Sequence, residues 1–210
     1  MNVRRTLCSV QLLLGVLAAA PAICASDQPL ESPTAVVRAT LAEVFRILED
    51  PKLQGPDKLI PRRHMLEDVI ATRFDYVEMS KRALAAHWPP LTNEQRTEFV
   101  SLFKAFLSDR YAGKIEGYSG EQVHYVGERI EGQYAEVRTR LISGKGEIPM
   151  DYRLINKDGR WYAYDIIADG VSLVKNYRSQ FDKIIRSDSY DELVKRLRNR
   201  TVVEEKREKR

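Results

Sequence analysis

The hydrophobic positions of this chain change period twice, and each change marks a change of element. From Ser32-Pro33 onward they recur every three or four residues. Val36, Val37, Leu41, Val44, Phe45 and Leu48 form one stripe, the pattern of a helix facing a core. Ser32 supplies an N-cap hydroxyl and Pro33 suits the first helical position; Asp50-Pro51 ends the helix. A loop holding Pro51, Gly55, Pro56 and Pro61 leads to a shorter helical stretch at 62–71 with Met65, Leu66, Val69 and Ile70. Asp75 and Glu78 have capping-box spacing, opening a helix with Val77, Ala83, Leu84 and Trp88 that Pro89-Pro90 stops. Thr92 and Gln95 form a second box. The helix they open, 94–115, is the strongest, carrying Phe99, Leu102, Phe103, Phe106, Tyr111 and Ile115. Gly117 closes it.

The period then drops to two. Four strands are predicted at 121–127, 133–142, 147–155 and 160–168, with Gly132, Ser143-Gly144-Lys145-Gly146 and Asn156-Lys157-Asp158-Gly159 as turns. Ala135, Val137 and Leu141 alternate with Glu136, Arg138 and Arg140. Ile148, Met150, Tyr152 and Leu154 alternate with Pro149, Asp151 and Arg153. One face is apolar and one charged, the mark of a sheet covered on one side. Asp169-Gly170 breaks the last strand, and the helical period returns with Val171, Val174, Tyr177, Phe181 and Ile184. A third capping box, Ser189 to Glu192, starts a final helix with Leu193, Val194 and Leu197. The order predicts an α+β fold: an antiparallel meander of about four strands with helices packed on one face.

Composition narrows the class. With 43% hydrophobic and 30% charged residues the chain reads as globular, and a net charge of +4 over 210 residues is too small and diffuse to favour nucleic acid. Arg4 and Arg5 precede an apolar run at 7–20 and small residues at 22–26, a secretory signal too short to span a bilayer. The expected organisation is a leader at 1–25 cleaved near Ala25, one domain at 26–198, and a charged, disordered tail at 199–210. Both cysteines, Cys8 and Cys24, fall in the leader. The mature chain therefore holds its fold by its core alone, and is expected to be a monomer.

Catalytic chemistry is sparse. Gly170-Val-Ser172-Leu-Val174 lacks the closing glycine of a nucleophile elbow, so Ser172 or Asp169 reads as a helix cap. Asp165 and Asp169 are four apart and can act as an acid–base pair or satisfy backbone N–H groups at the corner. His64, His87 and His124 lack metal-ligand spacing. No metal and no cofactor are expected. The surplus is of aromatic surface: Phe74, Trp88, Phe99, Phe103, Phe106, Tyr152, Trp161, Tyr164 and Phe181 among others. They either fill a solid core or line an apolar cavity between helices and sheet.

The stretch Trp161-Tyr-Ala-Tyr-Asp-Ile-Ile-Ala-Asp-Gly-Val-Ser-Leu-Val174, with Asn176-Tyr-Arg-Ser-Gln-Phe181, resembles the signature of the MlaC/toluene-tolerance family. The likeness extends through Phe74-Asp75, Ala83-Leu84, His87-Trp88, Leu91 to Phe99, Phe103, Tyr111, Tyr118 to Glu121 and Asp151-Tyr-Arg153, over roughly 33–197. Where that pattern has Leu-Gly before an aromatic, this chain reads Leu84-Ala85-Ala86-His87-Trp88. The resemblance implies a periplasmic phospholipid carrier that is not an enzyme. Its ligand would be phospholipid, enclosed in an apolar cavity. It would exchange lipid with an inner-membrane ABC transporter bearing an MCE-domain protein and with an outer-membrane lipoprotein–porin complex, maintaining outer-membrane lipid asymmetry. Tail contacts are expected from Phe99, Phe103, Phe106, Met150, Tyr152, Ile166, Val171 and Val174, and phosphate or partner contacts from Arg153, Lys175 or Arg178. The competing readings are a small-molecule enzyme using Asp165 as base and a ligand-free structural adaptor.

Overall fold

The computed structural model describes residues 31–200 apart from Ser119 and Lys145; the expected leader, both cysteines and residues 201–210 of the expected tail lie outside the described residues. Helix α1 spans Pro33–Glu49 and starts as predicted, with the Ser32 hydroxyl accepting the Ala35 N–H at 3.1 Å. Two single 3-10 turns, Pro51–Leu53 and Pro56–Lys58, lead into α2, Leu59–Arg73. This helix starts earlier than the sequence suggested. Pro61 falls in its first turn, where a missing N–H has no intrahelical partner to lose.

Helix α3 spans Tyr76–Leu84 and is capped by Asp75, whose carboxylate accepts the Glu78 N–H at 2.9 Å. A 3-10 turn, Ala85–His87, leads to α4, Asn93–Glu116. The capping box at its start is complete: Thr92 Oγ1 accepts the Gln95 N–H, and Gln95 Oε1 accepts the Thr92 N–H.

The sheet comprises β1 (Gln122–Glu131), β2 (Tyr134–Ser143), β3 (Gly146–Lys157), β4 (Arg160–Ala168) and the two-residue β5 (Val171–Ser172), antiparallel in the order β1-β2-β3-β4-β5. The meander is as predicted, with one short strand added. β1 runs past Gly127 because a bulge between Tyr125 and Gly127 lets the ladder resume beyond it. Asp158-Gly159 and Asp169-Gly170 have positive φ at both residues (52° and 81°, 49° and 74°), the two-residue geometry that matches the twist of antiparallel strands. The second of these, read as a simple corner, is therefore a miniature hairpin that pairs Val171 with Ala168. Helices α5 (Leu173–Ser187) and α6 (Tyr190–Arg198) follow, capped by Ser172 and Ser189.

The expected helices on one face become helices on both faces at the β3–β4 end. Neighbouring residues of a strand point to opposite faces, yet Leu154 and Ile155 are both buried, as are Ala163 and Tyr164. Leu154 and Ala163 join Val36 and Val37 of α1, together with Ala135, Val137, Tyr152 and Trp161. Ile155 and Tyr164 join a second cluster built from α3, α4, α5 and α6, with Phe99, Phe103, Phe181 and Tyr177 at its centre. A third, smaller cluster (Val44, Ile47, Leu48 and Leu66) ties the C-terminal half of α1 to α2. The outer edge of β4 is closed by Phe74-Asp75, where the Asp75 N–H donates to the Ala163 carbonyl at 2.8 Å.

Candidate functional site: a half-covered apolar face of the sheet

Residues opposite one another across a ladder share a face, so the register defines what lies beneath α1. One row is Glu128, Val137, Tyr152 and Ile166; the next is Tyr125, Thr139, Met150, Ala168 and Val171; the last is Val123, Leu141 and Ile148. The rows open progressively. Val137 and Tyr152 are buried against Val36 and Val37. Met150, Ile166, Ala168, Tyr125, Val123 and Leu141 are only half-buried, and Ile148 is 44% exposed.

The cause lies in α1. Its first turns press Val36 and Val37 on the sheet, and Leu41 still touches that cluster, but Val44, Ile47 and Leu48 turn to α2 instead. Phe45 stacks on Tyr118 at 4.8 Å between centroids. The result is an apolar strip running out from under a helix. Thr139, fully buried on this strip, donates its hydroxyl to the Met150 carbonyl and so presents no free polar group. Burial raises the Tyr125 hydroxyl above its ordinary value, and the nearby Arg38 cation partly offsets this. Burial likewise raises Tyr152.

The eight predicted contact residues do not share one chamber. Met150, Tyr152 and Ile166 lie together on the strip. Phe99, Phe103, Phe106 and Val174 belong to the helical cluster across the sheet. There Phe103 meets Phe181 at 5.2 Å and Tyr177 at 5.4 Å, Phe106 meets Tyr177 at 5.5 Å, and Phe99 meets Phe181 at 5.7 Å, all edge to face. Phe99 and Phe103 are fully buried. That cluster is solid aromatic packing. Val171 pairs with Ala168 across the Asp169-Gly170 turn, so it continues the Met150–Ala168 row of the strip to the edge of the sheet, where it is 42% exposed. Among the described residues, two clefts of about 640 and 310 Å³ open to solvent, one at Phe74, Tyr76 and Tyr162 and one between α1 and α2, and none of the eight lines either. Leu141, Ile148, Val123, Tyr125 and Ala168 were not among the eight. The alternation in β2 and β3 already placed Leu141 and Ile148 beside Met150.

Asp165 is 2% exposed. Its Oδ1 accepts the Val174 N–H at 3.0 Å and its Oδ2 accepts the Ser172 hydroxyl at 2.6 Å, with Arg153 at 3.6 Å. The Ser172 oxygen in turn accepts the Lys175 N–H at 3.0 Å. Both carboxylate oxygens are engaged in fastening α5 to β4. Of the predicted cations, Arg153 lies on the opposite sheet face, paired with Glu136, and Lys175 and Arg178 lie on exposed positions of α5. Among the described residues no group of three or more His, Cys, Asp or Glu converges as a metal site, and no helix is long and apolar enough to cross a membrane.

An open antiparallel sheet with an apolar strip emerging from beneath a helix, its corner carboxylate held by backbone and hydroxyl, is an α+β scaffold suited to apolar ligands. Comparison with known proteins places it further. The family model described as MlaC protein matches residues 38–199, and the chain belongs to that family. It is 24% identical over 122 residues to the intermembrane phospholipid transport system binding protein MlaC of Haemophilus influenzae, spanning 55% of this chain and 57% of that relative, little more than half its length. It is 25% identical over 182 residues to the toluene tolerance protein ttg2D of Pseudomonas putida, covering 85% and 83% of the two chains. Among solved structures it resembles the phospholipid-binding protein of Ralstonia solanacearum in complex with a phospholipid. The TM-score is 0.70 and the identity 25%, over 80% of this chain and 95% of the other.

Proposed function

We propose that the protein is a periplasmic phospholipid carrier whose acyl chains lie along the strip formed by Val123, Tyr125, Leu141, Ile148, Met150, Ile166 and Ala168. The observation that carries this is the progressive opening of the three sheet rows beneath α1, from fully buried Val137 to Ile148 at 44% exposure. Apolar surface left half-covered beside a helix is available to an apolar ligand. Each CH₂ removed from water is worth ~0.8 kcal/mol, so a few rows of such surface suffice to hold a chain. Met150 and Ile166 are the tail contacts, with Tyr152 closing the buried end of the strip beside Val137; Phe99, Phe103, Phe106 and Val174 brace the scaffold from the other face, and Val171 stands at the rim.

In this reading the leader at 1–25 is removed on export, the folded unit occupies 26–198, and the tail at 199–210 stays outside it. The carrier passes phospholipid between an inner-membrane ABC transporter with an MCE-domain protein and an outer-membrane lipoprotein–porin complex, as the family assignment suggests. It works by binding and needs no catalytic residue: Asp165, the one candidate base, has its oxygens occupied by Ser172 and Val174. Organic extraction of protein purified from the periplasm, followed by mass spectrometry, should release phospholipid in near-stoichiometric amount. Protein that is repeatedly empty and takes up no lipid from vesicles would refute the proposal.

A further inference from the structure

Among the described residues, Arg38 is a cation at the border of the strip, and it was not among the basic residues picked out in the sequence. Arg38 follows Val37, which seals the buried end of the strip, and precedes Leu41, where the seal begins to open. Its guanidinium lies over the Tyr125 ring, 3.8 Å from the centroid. Tyr125 itself is a member of the half-covered row that continues through Thr139 to Met150 and Ala168.

Arg38 is distinguished by its place: of the arginines near the sheet, it is the one that lies over a ring of the strip, and like Arg138 and Arg160 it has no ion-pair partner among the described residues. Arg129, Arg140 and Arg153 are each paired with a carboxylate. No carboxylate lies within ion-pair reach of Arg38 among the described residues, and its residue is exposed. A guanidinium held over an aromatic ring keeps N–H donors available to a further partner, and ring contact limits the rotamers it must lose on binding. Glu128, the nearest acid along β1 toward the start of α1, is occupied by the N–H and hydroxyl of Thr34 at 2.9 and 2.6 Å. It is held beside the helix start, four residues before Arg38, and makes no pair with it.

We propose that Arg38 is the headgroup anchor of this site: it binds the phosphodiester of a phospholipid whose chains lie along the strip, with Tyr125 as its positioning residue. This rests on the phospholipid-carrier reading and adds to it a polar contact. A planar, always charged donor set suits a phosphodiester oxygen pair. It makes no demand on the rest of the headgroup, so lipids with different headgroups should bind through the same contact.

The test compares two probes with the same acyl chains: a dioleoyl phospholipid and dioleoylglycerol, which lacks the phosphate. Uptake from vesicles by wild type, Arg38→Ala and Arg38→Lys is followed by native mass spectrometry, with inorganic phosphate alone as a third probe. Wild type should favour the phospholipid. Arg38→Ala should weaken phospholipid binding about tenfold, the scale of one charge-assisted contact at an exposed site, and leave dioleoylglycerol unchanged. Arg38→Lys should retain part of the preference through its charge. An unchanged phospholipid-to-dioleoylglycerol ratio in Arg38→Ala, or an equal loss of both lipids, overturns the anchor and leaves the carrier reading standing. Inorganic phosphate that competes as well as phospholipid overturns it too, by making Arg38 a free-anion site. Wild type that takes up neither lipid overturns the carrier reading, and the anchor with it.

Discussion

Replacing Asp165 with alanine should be among the most destabilising changes in this protein while leaving ligand binding intact in the molecules that remain folded. Two buried hydrogen bonds disappear together, from the Val174 N–H at 3.0 Å and the Ser172 hydroxyl at 2.6 Å. Val174 is 3% exposed and its N–H opens α5, so water cannot readily replace the lost acceptor. Leaving a buried donor unsatisfied costs about 1–3 kcal/mol, and loss of a bond to a charged group about 1.5–3 kcal/mol. The two contributions are coupled through Ser172, which also caps α5, so a total near 3–5 kcal/mol is expected rather than their full sum. At roughly 2–4 °C per kcal/mol for a domain of this size, the melting temperature should fall by about 6–20 °C. Asp165→Asn keeps one acceptor oxygen for Val174 and should lose less than half as much. Urea unfolding of the three proteins measures the series, and lipid uptake measured well below the transition separates stability from binding. If Asp165→Ala unfolds like wild type, the carboxylate is not the fastener described here. If folded Asp165→Asn loses its lipid, Asp165 belongs to the site and the corner has been misread.

Other perturbations follow from the same geometry. Ala85 adopts φ 49° and ψ −113°, a left-handed conformation that costs a residue with a Cβ about 1–3 kcal/mol. Ala85→Gly should raise stability by about 1 kcal/mol after the greater chain entropy of glycine is subtracted, read as a higher urea midpoint with an unchanged slope. Phe103→Ala, in the solid aromatic cluster, should cost about 3–5 kcal/mol yet leave lipid uptake by folded protein unchanged, whereas Ile148→Asp should abolish uptake with little change in unfolding. Burial pushes the Tyr76 hydroxyl up to about 12 from an ordinary 10.0 and also raises Tyr152 and Tyr177. The folded state thus holds these protons more tightly than the unfolded chain. The tyrosine contribution to stability should be level below pH 10.0 and be lost as pH rises from there toward 12, a trend checked by denaturant midpoints together with tyrosinate absorbance.

The sequence carried the elements more clearly than their arrangement. Local chemistry wrote the caps: Ser32, Asp75, Thr92 and Ser189 each accept the N–H their spacing implied. Alternation in β2 and β3 gave the apolar face, and the Asp-Gly pairs marked their turns. Of the eight residues picked out in the sequence, Met150, Tyr152, Ile166 and Val171 fall on the sheet face proposed as the site. Phe99, Phe103 and Phe106 of α4 pack against Tyr177 and Phe181, and in a sequence a phenylalanine stripe looks the same whether it faces a ligand or a partner helix. The clue to their true neighbours was present in Trp161-Tyr162-Ala163-Tyr164 and Leu154-Ile155. Unbroken apolar runs in a strand signal burial on both faces, and here they show the sheet wedged between two helical layers. What a one-dimensional pattern does not encode is where α1 leaves the sheet. That depends on Val44, Ile47 and Leu48 finding Leu66 of α2 rather than the outer rows, a competition between distant segments.

The central claim is that the half-covered strip, and not the aromatic cluster across the sheet, is where an acyl chain lies. A photoreactive phenylalanine analogue placed singly at Ile148, at Leu141 and at Phe103, and irradiated in cells, tests this directly by mass spectrometry of the purified protein. The account predicts phospholipid adducts from positions 148 and 141 and none from 103. Adducts from 103 with none from the strip would contradict it.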